Sequence, residues 1–233
     1  LKRAAALGLS APAISLVLAA CGGEDDTGEP AGTGSTPSGA SASPAAGTAG
    51  TGAPAGDTGG IINANTTLGD KGIGNPILNG GDYWTEWLVF SKLGKYDDHG
   101  ELIPDLAEDW SYSEDGLTLT LSLVETSWHD GTPFTSADVL FTFDTIKDEN
   151  VDTPYGSRLQ VEGAYVAWEA PDERTVVITM PSPFAPFLFG LSQIAILPKH
   201  LLEGSADINT DPFNTSPIGT GPYKFVERQP DQY

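Results

Sequence analysis

Leu117, Leu119, Leu121 and Leu123 alternate with Thr118, Thr120, Ser122 and Val124. A period of two makes a strand with one apolar and one largely polar face, so this strand is half buried. Gly116 after Asp115 supplies the turn into it. The run Trp128-His129-Asp130-Gly131-Thr132-Pro133 supplies the turn out, because Asp-Gly tolerates positive φ and Pro stops a ladder. Thr135 then reads as an N-cap with Asp138 at N3, a shortened capping box whose charge also suits the helix dipole. Phe134 and Val139 stand where a hydrophobic staple forms, and Val139, Phe143 and Ile146 continue a core-facing stripe. Preceded by Pro104-Asp105-Leu106-Ala107-Glu108-Asp109-Trp110, the stretch from Glu101 to Asp148 is a locally consistent strand, turn and helix. Such units are common, and alone they indicate no activity.

The chain has 233 residues, enough for one or two domains, and 39% are hydrophobic. The apolar deficit is local: residues 22–60 are almost entirely Gly, Ala, Ser, Thr and Pro with a few acids. Such a segment buries too little to offset the entropy of ordering and is expected to be a tether. The formal net charge of -21 opposes binding to nucleic acid or to anionic lipid surfaces. Lys2 and Arg3 precede a small-residue apolar stretch, Ala4 to Ala20, that ends in Leu18-Ala19-Ala20-Cys21-Gly22. This is the layout of a secretory signal, too short and Ala-rich for a spanning helix. Its end resembles a bacterial lipobox, with Cys21 as the residue to be lipidated. Because Cys21 is the single cysteine, no disulfide forms within the chain. The sequence does not begin with Met, so the charged leader is expected to extend further.

After the tether, Ile61 to Thr67 is predicted as a first strand, and Gly74-Asn75-Pro76 as a turn. Asn79-Gly80-Gly81-Asp82 is a flexible point. Tyr83 to Leu93 is predicted as a short helix packed by aromatics, with Tyr83 or Trp84 able to line a ligand cleft or simply to pack the core. Residues 150–160 are predicted as a loop, Val161 to Trp168 as extended, and Arg174 to Met180 as a second alternating strand. Ile194 to Leu197 is predicted as a buried strand and Pro198 to Glu203 as the start of a helix. Pro217 to Phe225 is predicted as a glycine turn feeding a strand.

Catalytic patterns are lacking. The sequence contains no H-E-x-x-H helix, no Gly-x-Ser-x-Gly elbow and no Ser-x-x-Lys motif. His99 and His129 lie in Gly-flanked turns, where surface roles are expected. The Gly219-Thr220-Gly221 turn does not suit a phosphate, since Pro222 removes a backbone donor and a strand, not a helix, is expected after it. Asp97-Asp98-His99-Gly100-Glu101 lacks EF-hand ligand spacing and reads as an exposed turn. No metal site, cofactor or enzymatic activity is expected.

Several motifs nevertheless occur in a definite order. They are the Pro104 to Trp110 segment, Ser113-Glu114-Asp115-Gly116-Leu117-Thr118, Trp128 to Thr135 with Ala137-Asp138-Val139, Ile196-Leu197-Pro198-Lys199-His200, and Gly219-Thr220-Gly221-Pro222-Tyr223-Lys224. This series resembles the bacterial extracellular solute-binding proteins of family 5, the oligopeptide-, dipeptide- and nickel-binding components of ABC importers. One departure is Val124-Glu125 after the leucine strand, where the family usually carries a basic residue. The resemblance implies an α/β, periplasmic-binding-protein-like type II fold with two lobes. Of these, residues 61–90 and 198–233 would belong to an incomplete first lobe and 91–197 to an inserted α/β subdomain. Residues 1–21 would be the signal and lipobox, 22–60 the tether, and the second lobe would lie outside this sequence. It further implies a lipid-anchored, extracytoplasmic, monomeric receptor without cofactors, whose partners are an ABC permease and its ATPase. The expected ligand is an oligopeptide or dipeptide; a nickel chelate, an oligosaccharide, a sensing role without transport, and a hydrolase are the alternatives. Segment matching implies Tyr155, Asp82 and Tyr83 as ligand-binding residues.

Overall fold

The structure, a computed structural model, describes residues 60–62, 74–81 and 83–229, with backbone only for 83–85. The lipobox with Cys21, the tether up to Gly59, Asp82 and most of the predicted first strand therefore lie outside the described residues. So does the side chain of Tyr83.

Among the described residues twelve helices and strands follow in order: α1 (Tyr83–Leu88), β1 (Gly94–Tyr96), β2 (Leu102–Pro104), β3 (Ala107–Tyr112), β4 (Thr118–Leu123), α2 (Ser136–Lys147), β5 (Gln160–Val161), β6 (Ala164–Tyr165), β7 (Ala167–Asp172), β8 (Thr175–Thr179), α3 (Phe187–Leu191) and α4 (Lys199–Leu202). The predicted leucine strand is β4. Its Leu119, Leu121 and Leu123 are buried while Thr118, Thr120 and Ser122 are half exposed. It is central in an antiparallel sheet of order β3-β4-β8-β7, where the second predicted strand, β8, pairs Leu121 with Val176 and Leu119 with Ile178.

Helix α2 covers that apolar face. Val139, Phe143 and Ile146 are buried, and the Phe143 ring meets Trp168 of β7 edge-on at 5.6 Å. The N-cap forms as its sequence dictates: the Thr135 amide donates to Asp138 Oδ2 at 2.9 Å. Asp138 Oδ1 accepts the Lys199 amide at 2.9 Å, so the same buried carboxylate also starts α4. On the outer strands, β3 carries exposed Glu108 and Asp109 and β7 contains Pro171. Charge and a missing donor both discourage further pairing at a sheet edge.

The Pro104 to Trp110 segment, for which no element was predicted, is partly strand, β3, because Leu106 and Ala107 donate to the Lys92 and Leu93 carbonyls and Ala107 enters register with Leu123. Three expectations need correction. Val161 to Trp168 is not one extended run. Glu162 (φ 55°) and Gly163 (φ 81°) make a tight turn that folds β5 onto β6, a conformation in which Gly favours the two-residue hairpin. Ile194 to Leu197 is buried but is not a strand: Ile196 donates to Ser91 and Leu197 to the Thr142 hydroxyl, leaving a single bridge, Lys92 to Ala195. Residues after Pro217 form no strand within the described residues. Pro222 has no N–H, and the Gly221 and Tyr223 amides are spent on the Val89 and Leu88 carbonyls.

Candidate functional site

The two loops singled out by sequence lie against each other. Asn79, in the loop before α1, donates its amide to the Asp152 carbonyl at 2.8 Å and its side-chain Nδ2 to Asp152 Oδ1 at 2.7 Å. Asp152 is held from its other side by Asn209 Oδ1, which accepts the Asp152 amide at 2.8 Å. Three residues later, Tyr155 precedes a 3-10 turn, Gly156–Leu159, with its amide on the Thr153 hydroxyl. Gly80 between the clamp and α1 has φ 81°, a left-handed conformation that suits glycine. Of the three predicted ligand residues, only Tyr155 has a described side chain.

Charged groups converge on that tyrosine. Burial pushes its phenol up to about 12, with the negative charge of Glu86 adding to the rise and Arg158 opposing it. Glu86, on α1, accepts from Lys92 Nζ at 2.7 Å in a pair whose side chains are only 17% and 13% exposed. Lys92 Nζ also lies 4.8 Å from the centre of the Trp87 ring. The Arg158 guanidinium stands 5.3 Å above the Tyr155 ring. Glu86, Lys92 and Arg158 were not anticipated. The only trace in the sequence was an acid and a base six residues apart at a helix end, a spacing that side-chain pairing rules do not mark.

A second brace fixes the glycine turn after Pro217. His129 Nε2 donates to the Gly221 carbonyl at 2.7 Å, which leaves Nδ1 to accept the Gly219 amide at 3.4 Å. Lys224 Nζ donates to the His129 carbonyl at 2.8 Å. A Cβ on Gly219 would overlap the Val89 carbonyl oxygen, and one on Gly221 would lie 2.6 Å from the Val89 carbonyl carbon. Both glycines are therefore required by close backbone approach to the end of α1.

Other polar clusters hold themselves together. A groove of about 240 Å³ beside Thr132, Asp138 and Lys199 has its polar groups already partnered: His200 with Asp130 at 2.8 Å and Lys199 with Glu203 at 3.4 Å. Asp97, Asp98 and His99 cluster in the β1–β2 turn, where Asp97 Oδ1 accepts the His99 and Glu101 amides, the ordinary work of a turn aspartate. Among the described residues no helix is long and apolar enough to cross a membrane.

The sheet, its covering helix and the loop pair define part of a type II periplasmic-binding-protein fold, a class of two-lobed solute receptors. The family model for bacterial extracellular solute-binding proteins, family 5 Middle, matches residues 101–233, more than half of the chain, and the chain belongs to that family. Its members are transport binding proteins and not enzymes. The dipeptide-binding protein of Escherichia coli K12 is 34% identical over 164 residues, 62% of this chain and 30% of the relative. Similar solved structures include two with a bound solute. NikZ from Campylobacter jejuni in complex with Ni(L-His) is 38% identical, with TM-score 0.59 over 68% of this chain and 31% of that one. The oligopeptide-binding protein AppA from Bacillus subtilis in complex with a nonapeptide is 28% identical, with TM-score 0.60 over 68% and 32%. The chain spans about a third of the length of the curated relatives it matches.

Proposed function

We propose that this chain is part of the substrate-binding lipoprotein of an ABC importer, which captures a peptide between two lobes and delivers it to a membrane permease served by an ATPase. Family membership supports the receptor role, and the relatives named for dipeptide and oligopeptide binding support the ligand class. The reading of the site is supported by the clamp between Asn79 and Asp152, which holds Asn79 against the loop bearing Tyr155. Tyr155, Tyr83 and Asp82 are the residues of this chain that meet the ligand, the two tyrosines through their aromatic faces. Residues 61–90 and 198–233 contribute to the first lobe and 91–197 form the inserted subdomain. Binding closes the hinge because only the closed form touches the ligand from both sides. Cys21 carries the lipid that keeps the receptor at the extracytoplasmic face of the membrane, and residues 22–60 give it reach.

Isothermal titration of the full-length protein with di-, tri- and pentapeptides, nickel–histidine and oligosaccharides tests the ligand class. Saturable heat with peptides, weakened tenfold or more in Tyr155→Ala, is expected, and heat only with nickel–histidine shifts the reading to metal chelates. The NikZ complex with Ni(L-His) is the observation that keeps that second reading in view. Fatty-acid labelling that persists in Cys21→Ala would exclude the anchor.

A further inference from the structure

Asn79 is the only asparagine of this chain that is followed by glycine. The others precede Ala64, Thr66, Pro76, Val151, Thr210 and Thr215. A side chain on the following residue crowds its amide nitrogen, and proline has no N–H, so only the Gly80 nitrogen is unshielded. The local structure leaves it accessible as well. Asn79 and Gly80 are the two central residues of an exposed turn, closed by the Gly81 amide on the Leu78 carbonyl at 3.1 Å. Gly80 has φ 81°, the value of the third residue in a type II turn. Its amide has no hydrogen-bond partner among the described residues.

These features suit a reaction of the asparagine with its own backbone. The Gly80 amide nitrogen attacks the Asn79 side-chain carbonyl carbon. A bond from that nitrogen to Cγ forms, the Cγ–Nδ2 bond breaks, and Nδ2 leaves as ammonia with the proton that Gly80 gives up. Water then opens the cyclic imide at either carbonyl, giving aspartate or its β-linked isomer. The step needs no oxidant and no second protein.

At this residue the change is not silent. Asn79 Nδ2 is the donor to Asp152 Oδ1 at 2.7 Å, and Asp152 forms no ion pair among the described residues. Conversion replaces the donor with a second carboxylate, so an attraction becomes a like-charge repulsion. The β-linked product also adds a methylene group to the backbone next to the Asn79 amide, which donates to the Asp152 carbonyl at 2.8 Å. We propose that Asn79-Gly80 is a site of spontaneous deamidation whose product opens the clamp on Asp152, so that the receptor loses ligand affinity as it ages. The loss of affinity rests on the placement of the ligand at Tyr155; the modification does not.

The test follows the full-length protein, folded and free of ligand, through incubation in mildly alkaline buffer. Peptide mapping by mass spectrometry, with enzymatic methylation of isoaspartate as a second label, is expected to find conversion at Asn79 several-fold faster than at any other asparagine. Asn79→Gln, whose ring closure must take in a further carbon, should not convert. On conversion, hydrogen exchange at the residue 79 amide should quicken and trialanine affinity by calorimetry should fall, each by about tenfold, as loss of one hydrogen bond to a charged group implies. Asn79→Asp should reproduce both changes, and Asn79→Ala, which removes the donor without adding charge, should show smaller ones. Asn79 that stays intact in the folded protein while it converts in urea overturns the proposal. Conversion that leaves exchange at residue 79 unchanged overturns it too. Quickened exchange with unaltered trialanine affinity keeps the modification and overturns the ligand site at Tyr155, and with it the ageing of affinity. Fresh protein that binds nickel–histidine but no peptide, and loses that affinity on conversion, upholds the proposal and overturns peptide capture.

Discussion

The sheet under α2 and the loop pair around Tyr155 are held together in different ways. In the sheet, each strand carries its own instructions: leucines at every second place in β4, Val176 and Ile178 in β8, and a stripe on α2 that all bury on one side. The Tyr155 region joins segments remote in sequence through backbone and polar contacts, Asn79 to Asp152 and Asp152 to Asn209, and the separate brace of Leu88 and Val89 on the turn at Gly221 is built in the same way. The first region is a scaffold set by area removed from water, which tolerates no cavity. The second is held by a few specific bonds, so its loops can be re-aimed by single changes, as suits the walls of a binding site.

The sharpest test of that contrast is Phe143→Ala. The ring is fully buried between α2 and β7 and has no polar role. Its removal is expected to cost about 3–5 kcal/mol, from lost transfer energy and the cavity left behind. Urea denaturation measures it, and a cost under about 1 kcal/mol would mean that the sheet and helix are not the scaffold.

Gly221→Ala makes the matching test of the second region. A new Cβ 2.6 Å from the Val89 carbonyl carbon meets backbone, which cannot swing aside as a side chain can. A loss of about 3 kcal/mol is expected, at the upper end for overpacking. An unchanged urea midpoint would show that the turn does not dock closely on the end of α1, and the contrast between the regions would weaken.

The two regions also differed in how far they could be read in advance. Alternation, turn chemistry and capping announced β4, β8, the Ser113 to Gly116 turn and α2 because each is decided by residues within a few positions of one another. Asp115 shows how local that information is: its carboxylate accepts Ser113 Oγ at 2.6 Å and the Leu117 amide at 3.0 Å, all inside one turn. The β5–β6 hairpin escaped because its left-handed turn begins on Glu162, a residue that does not advertise positive φ. Ile194 to Leu197 has strand composition but no neighbour offering a ladder, which only the fold decides. In the candidate site, Tyr155 was named through family resemblance, whereas Arg158 and the Glu86–Lys92 pair depend on which loops meet and had no local signature. Val124-Glu125, which departs from the family pattern, proves to be paired after all: Glu125 Oε2 accepts from Arg174 at 3.1 Å across the sheet.

Glu86→Gln probes the charge balance around Tyr155. It leaves Lys92, 13% exposed, without its anion, and a loss of about 2 kcal/mol is expected, below that of a fully buried pair because water still reaches both groups. The same change removes the negative charge that helps raise the Tyr155 phenol, which lowers that phenol from its value of about 12. Ultraviolet difference titration of Glu86→Gln against Glu86→Gln/Tyr155→Phe reads the shift directly. A phenol still ionising near 12 would show that burial alone sets it.

The smallest effect belongs to a surface pair next to the scaffold, and its sign can be worked out. Burial pushes the Asp130 carboxyl up, but hydrogen bonds from His200 and Thr132 outweigh that and hold it below the usual carboxylate range. His200 Nε2 lies 2.8 Å from Oδ2 and the Thr132 amide donates to Oδ1 at 2.9 Å. A carboxyl whose folded value lies below its unfolded one stabilises the fold above about pH 4 and loses that contribution as pH falls through the folded value. Asp130→Asn is therefore expected to cost about 0.5 kcal/mol at neutral pH, the range of a solvent-accessible ion pair, and nothing near pH 2. Urea midpoints of both proteins across that range provide the check. A difference that stays constant with pH would assign the loss to turn geometry at Asp130-Gly131 rather than to charge. A difference above about 2 kcal/mol would mean that this turn, like the one at Gly221, depends on a few specific bonds, and the line between the two regions would have to be redrawn to include it.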